Sequence, residues 1–313
     1  TDDRILTGII RRAAEALLTG WAAVTVTFFA LRLTGGDPTA SLLAQGLASV
    51  EQAEQIRAAL NLDQPLLIQY GQYLSDLVQG RFGVSFYTGR PVLQTIREQL
   101  LPTVELAAAS TLVMVLFSLI LGGTAAFRQK KLSGRTAAWL ADMLTTLPIA
   151  LIGLLFLYLT STLRRRFGVM SSSTGILSLL LPSLVLGLSL SGPVARILKT
   201  SLLEVLKKPF IITARAYGLE RRGRLLWYAL RPALPPVIAL SAIEIAYIFS
   251  GTVVTETIFA RPGLGRLLVS SILQGDFPVA QGVITLAALF YTLTHFAADT
   301  LSMLLDPRRR SAS

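Results

Sequence analysis

Six stretches of the chain are long and apolar enough to cross a bilayer, near Ala13–Leu33, Thr103–Phe127, Ala137–Ser161, Ile176–Leu198, Pro235–Ile258 and Val279–Leu305. About 20 helical residues span the hydrocarbon core. Lipid offers backbone N–H and C=O groups no hydrogen-bond partners, so such segments must satisfy themselves as helices. The alternating strands of a membrane barrel are absent from the sequence. The expected fold class is therefore all-α and integral to the membrane, with six transmembrane helices. Only 15% of the residues are charged, against about 25% in an ordinary soluble domain. With no cysteine and one histidine, the chain has no disulfide framework, no Cys-ligated metal or cluster site and no multi-His centre.

The net charge of +11 could suit nucleic acid or a membrane, so its placement decides. An even number of spans puts both termini on one side. That side, with the connections Arg128–Arg135 and Arg196–Arg231, holds 19 of the 29 Lys and Arg residues. Basic connections stay cytoplasmic, so both termini are expected there. Arg164–Arg166 falls on the other side and runs locally against the rule. Distribution by topology excludes a nucleic-acid partner and leaves membrane lipid as the expected one. The first span is read as an uncleaved anchor, because its apolar stretch is too long for a signal peptide.

Two connections exceed simple turns. The outer one, 34–99, contains Glu51–Leu60 and Leu66–Gln79, both with helix-like apolar spacing, punctuated by Pro38, Pro65, Gly80, Gly83 and Gly89. A small extracytoplasmic helical segment is expected there. The division that follows is 1–33 for the N-terminus and first span, 34–99 for the outer segment, and 100–313 for a five-helix core.

Within that core the inner loop 199–231 carries 8 Lys/Arg against Glu204 and Glu220. It reads as a short helix through Thr213, Ala214, Arg215, Ala216 and Tyr217, a break at Gly218 before Leu219, a second amphipathic piece, and Pro232 and Pro235 opening the next span. Small residues let another surface approach the helix closely, and glycine suits a left-handed turn. A basic helix held by anionic lipid accounts for the same features. The stretch also resembles the cytoplasmic coupling loop of ABC-importer permeases, in particular the first permease of the dipeptide/oligopeptide/nickel family.

The resemblance extends along nearly the whole chain. It includes Arg32–Pro38, Leu62–Pro65, Gly80–Ser85, Gly89–Val92, Leu101–Leu106, Ser201–Leu206, Thr213–Ala216, Thr255–Phe259, Pro262–Leu268, Asp276–Gly282 and Leu305–Arg308. It implies a type I importer permease fold in a bacterial-type inner membrane, partnered by a second homologous permease, two cytoplasmic ATPases and an extracytoplasmic substrate-binding protein. It also implies that Thr213–Leu219 docks on an ATPase, and that the cargo is a peptide, nickel or a metal chelate. The sequence departs from the broad permease pattern at Ile212 and Thr213, where Glu-Ala would stand, and in the shift of the closing proline to Pro232.

No glycine is followed by lysine, so the phosphate-binding loop of an ATPase is missing. The chain is read as a transport subunit and not an enzyme. No cofactor is expected in it, with ATP and Mg on the partner ATPases. Ionisable residues within spans are functional candidates, since each is expensive there unless paired. Glu15 and Glu105 lie near span ends, within reach of an interface, and Asp142 follows the turn at Arg135. Glu244 is deeper, sharing a helix face with Tyr247, Gly251 and Thr255 at offsets of 3, 7 and 11 residues. That stripe either lines a translocation path or bonds to a neighbouring helix. His295 and Asp299, four apart, make too few ligands for a metal site. Pro148, Pro182 and Pro193 are candidate kinks. Two other readings remain open: a stand-alone proton-coupled transporter using Glu244, Glu256 or Asp299, and a membrane scaffold whose basic loop recruits a partner.

Overall fold

The apolar runs do form helices. The structure, a computed structural model, describes residues 2–34, 39, 43, 46, 49–59, 62–167, 176–218, 220, 223 and 228–305. Eleven helices lie among them: α1 (Asp2–Thr34), α2 (Val50–Ala59), α3 (Leu66–Val78), α4 (Val92–Phe127), α5 (Leu132–Thr146), α6 (Ile149–Phe167), α7 (Ile176–Val205), α8 (Pro209–Ala216), α9 (Arg231–Ile258), α10 (Leu264–Gln274) and α11 (Phe277–Leu305). Among the described residues there is no strand beyond an isolated bridge between Val84 and Pro91. The periodicity read at Glu51–Leu60 and Leu66–Gln79 corresponds to α2 and α3.

Four helical stretches among the described residues are long and apolar enough to cross a membrane: Arg11–Leu33, Val92–Phe127, Ser178–Val205 and Tyr228–Ile258. A fifth span results if Leu132–Thr146 and Ile149–Thr162 count as one, although they meet at 108°. The third span expected over Ala137–Ser161, with Pro148 as a candidate kink, is thus two helices that meet at that proline. Pro148 has no N–H to continue α5 and forces the residue before it out of the helical region. Leu147 accordingly sits at φ −77° and ψ 128°, and the Pro148 carbonyl then accepts the N–H groups of Leu151 and Ile152 to start α6. Pro182 and Pro193 lie inside a continuous α7. The last expected span falls in α11, of which Phe277–Leu293 counts as a shorter apolar helix.

The chain divides into two compact units. The first comprises Thr1–Ile9, Val104–Arg261 and Thr294–Ser313. At its centre α7 packs on α5, α6 and α9. Leu198 and Leu202 of α7 join Met114 of α4 and Ala233 and Val237 of α9 in its largest buried cluster. Backbones approach closely here. A Cβ on Gly192 would stand 2.6 Å from the Ala141 carbonyl oxygen, and one on Gly187 would stand 2.6 Å from that of Ser110. Small residues at helix crossings are how membrane helices gain packing contacts without a hydrophobic driving force between them.

The second unit comprises Ile10–Thr103 and Pro262–Leu293. Its sequence motifs, far apart in the chain, bind one another. The Ser85 hydroxyl and the Phe86 N–H both donate to the Asp276 carboxylate, at 2.5 and 3.1 Å. The Leu264 N–H at the start of α10 donates to Thr103 Oγ1 at 2.8 Å. Val92 and Ile96 bury themselves with Leu264, Val279 and Val283. On α1 and α3, Phe28, Phe29, Tyr70 and Tyr73 form an aromatic cluster, with Arg32 4.4 Å above the Phe28 ring. Tyr73 also shares a hydrogen bond of 2.8 Å with Thr285. Burial pushes its phenol above the ordinary tyrosine range, against the Thr285 bond and the nearby Arg32.

Asp276 is buried and accepts from two groups, so its removal strands both. Asp276→Ala is expected to destabilise this unit by about 2–3 kcal/mol, the range for lost hydrogen bonds to a charged acceptor. Faster amide exchange at Phe86 and Thr88 than in the wild type would be the sign; unchanged protection would mean that the carboxylate does not hold the loop.

Candidate functional site

The basic loop 199–231 contains α8, whose first residue is Pro209, where a missing N–H leaves no intrahelical bond unmade. Ile211 and Ala214, three apart and hence on one face, are buried, and Ile211 joins the cluster of Leu202, Val205, Ala229 and Ala233. That face anchors the helix to α7 and α9. Three apolar residues around it stay exposed: Phe210 is 44%, Ile212 65% and Tyr217 83% exposed. Thr213 bonds back to the Pro209 carbonyl at 3.2 Å, and the Tyr217 N–H caps the helix on the Thr213 carbonyl. Gly218 then turns at φ +75°. Leu219 and the side chain of Arg215 lie outside the described residues. An anchored short helix with exposed apolar residues can transmit the motion of whatever it contacts to α7 and α9.

The four residues of the α9 stripe do not meet one environment. Glu244 is buried, at 8% exposure, and Thr255 is fully buried, while Tyr247 is 51% exposed. Gly251 meets α7, where an added Cβ would stand 2.5 Å from Leu186 Cδ1. The hydroxyl of Thr255 is used within the helix, on the Gly251 and Thr252 carbonyls at 3.2 Å each. The structure thus separates a packed end, Gly251 and Thr255, from an end where buried Glu244 borders exposed Tyr247.

Several span acids are paired. Glu15 takes Arg11 at 2.9 Å, and Asp142 takes Arg196 at 3.0 Å. Glu105 accepts Arg261 at 3.2 Å, with the guanidinium buried. The sequence reading gave Glu105 only an interface to reach; Arg261 was missed as its partner. Two backbone effects bring that arginine into place. Pro182 cannot donate to the carbonyl four residues back, and Arg261 Nη1 takes that freed Ser178 oxygen at 3.4 Å. The end of α9 also turns through Ala260 at φ +50°, with the Arg261 N–H on the Glu256 carbonyl at 2.9 Å and the Ala260 N–H on that of Thr257. This pattern normally favours glycine. Glu256 is fully buried and engaged. Glu244 alone among these acids has neither hydrogen bond nor ion pair among the described residues. The side chains of His295 and Asp299 lie outside the described residues.

Residues 115–311 match the family described as binding-protein-dependent transport system inner membrane component, and residues 5–107 match its N-terminal counterpart. A probable peptide ABC transporter permease protein of Sinorhizobium fredii is 33% identical over 309 residues, covering 96% of this chain and 98% of that protein. A putative peptide transport system permease protein of Brucella abortus is 35% identical over 309 residues, with the same coverage of both chains. A glutathione transport system permease protein of Salmonella typhi is 31% identical over 306 residues, covering 98% of this chain and 99% of that one. In fold, the chain resembles a solved methionine ABC transporter in an inward-facing conformation, with a TM-score of 0.56 at 18% identity. That likeness covers 68% of this chain and 97% of the other. Matched along nearly its full length, this helical chain belongs to the inner membrane components of binding-protein-dependent transport systems, as an ABC transporter permease subunit of the dipeptide/oligopeptide type.

Proposed function

We propose that the chain forms half of the translocation path of an ATP-driven importer, through six spans with both termini cytoplasmic and the 34–99 segment outside. A second homologous permease completes the path around the 100–313 core. Two ATPases bind the inner loops, and a substrate-binding protein delivers cargo from outside. Peptides are the cargo that the peptide and glutathione permeases among its relatives support best; nickel or a metal chelate is the second class. ATP and Mg belong to the partner ATPases, and the chain itself carries no cofactor and no ATPase activity. On this reading Thr213–Leu219 is the coupling helix, and Glu244, Tyr247, Gly251 and Thr255 belong to the α9 face along the path.

The observation that carries the reading is the form of α8. Ile211 and Ala214 are buried and Ile211 packs with α7 and α9, while the apolar residues Phe210, Ile212 and Tyr217 stay exposed. Exposed apolar residues close together mark a surface for a protein partner. A photoreactive residue at position 217, in membranes expressing the whole complex, is expected to capture an ATPase subunit. Capture of lipid alone would support a lipid-held basic helix instead and remove the coupling assignment.

A further inference from the structure

We propose that Glu244 is the counter-charge for the ammonium group of the transported solute, and so a specificity-determining residue of this permease. The inference rests on the import reading above. Its starting point is the pairing pattern in the first unit. Arg261 serves Glu105, Arg196 serves Asp142, and Glu256 is engaged. Glu244, at 8% exposure, has no donor of any kind among the described residues. A carboxylate inside a span without a partner is expensive and marks a functional site by default. Among the described residues no cation serves it.

The surroundings of Glu244 suit an ammonium. Ile248, one turn along α9 from Glu244, is buried with Ala107 of α4 and Leu186 of α7. A carboxylate accepts from an ammonium, which has three N–H donors and no acceptor of its own. Exposed Tyr247, one turn along from Glu244, leaves that edge of α9 open to a solute. A phosphate or free carboxylate would be repelled there, whereas the amino terminus of a peptide carries the charge that fits.

The test uses the assembled importer in lipid nanodiscs and the reaction of Glu244 with a hydrophobic carbodiimide, read by mass spectrometry. Glu244 is expected to be labelled in the resting complex. Tri-alanine is expected to slow labelling severalfold, and N-acetyl-tri-alanine not to slow it. In proteoliposomes, Glu244→Gln is expected to lower ATP-driven tri-alanine uptake by about tenfold, the usual scale for losing a hydrogen bond to a charged group. No labelling at rest, as when a cation of the second permease holds Glu244, overturns the inference. Equal protection by both peptides, or none while wild-type uptake proceeds, overturns it too and leaves the import reading standing. Absence of tri-alanine uptake by the wild-type complex would instead overturn the peptide reading and this inference with it.

Discussion

Replacing Gly192 with leucine is expected to leave almost no folded protein. Gly192 sits where α7 crosses α5, and even the first atom of a side chain would lie 2.6 Å from the Ala141 carbonyl oxygen and 2.8 Å from the Thr145 amide nitrogen. Both are backbone atoms of a continuous helix, so neither can swing aside as the end of a flexible side chain could. The helices would have to separate. Overpacking a close crossing is destabilising by about 3 kcal/mol or more when the backbone cannot relax, and α7 lies at the centre of the unit, against α5, α6 and α9. Monodisperse protein recovered by size exclusion in detergent should fall to near zero, with what remains unfolding at a lower temperature. Gly71→Ala is the control. Its surroundings are open, and alanine is the better helix former, so yield should match or exceed that of the wild type. Equal yields from both variants would mean that the α5–α7 crossing is looser than described.

The second large effect concerns coupling. Gly218→Pro is expected to reduce uptake to background while the complex still inserts, assembles and hydrolyses ATP. The residue turns at φ +75°, a value closed to proline, whose ring fixes φ near −65°. Proline also disfavours helical backbone at Tyr217 before it, where the N–H closes the last turn of α8 on Thr213. Both effects move the end of α8 without touching Ile211 and Ala214, which anchor it. Asparagine tolerates the left-handed region far better than other side chains, so Gly218→Asn should keep most of the uptake. Loss of uptake in both variants would point to the glycine's size and not its conformation, and uptake unchanged in Gly218→Pro would remove α8 from the coupling path.

Some of this was legible in the residues alone. Runs of apolar residues bounded by charges located the long helices, and the spacing in 50–79 showed α2 and α3, because helical period is a local property. Pro148 was legible as a candidate kink. Whether a proline bends, breaks or merely interrupts a helix depends on what takes the freed carbonyl, and for Pro182 that is Arg261, 83 residues away along the chain. Partnership across such distances leaves no local mark. Ser85 and Asp276, or Glu105 and Arg261, stand in separate motifs whose spacing says nothing of their meeting. The α9 stripe shows the same limit from the other side. Period alone puts Glu244, Tyr247, Gly251 and Thr255 on one face, yet neighbouring helices bury Thr255, pack Gly251 and leave Tyr247 open.

The most direct test of import through this chain is uptake of labelled peptide by proteoliposomes holding both permeases and the ATPases, with the binding protein outside and ATP inside. Accumulation should require ATP, the binding protein and every subunit, and should be indifferent to a proton gradient. Accumulation driven by a proton gradient, by this chain alone and without ATP, would contradict it.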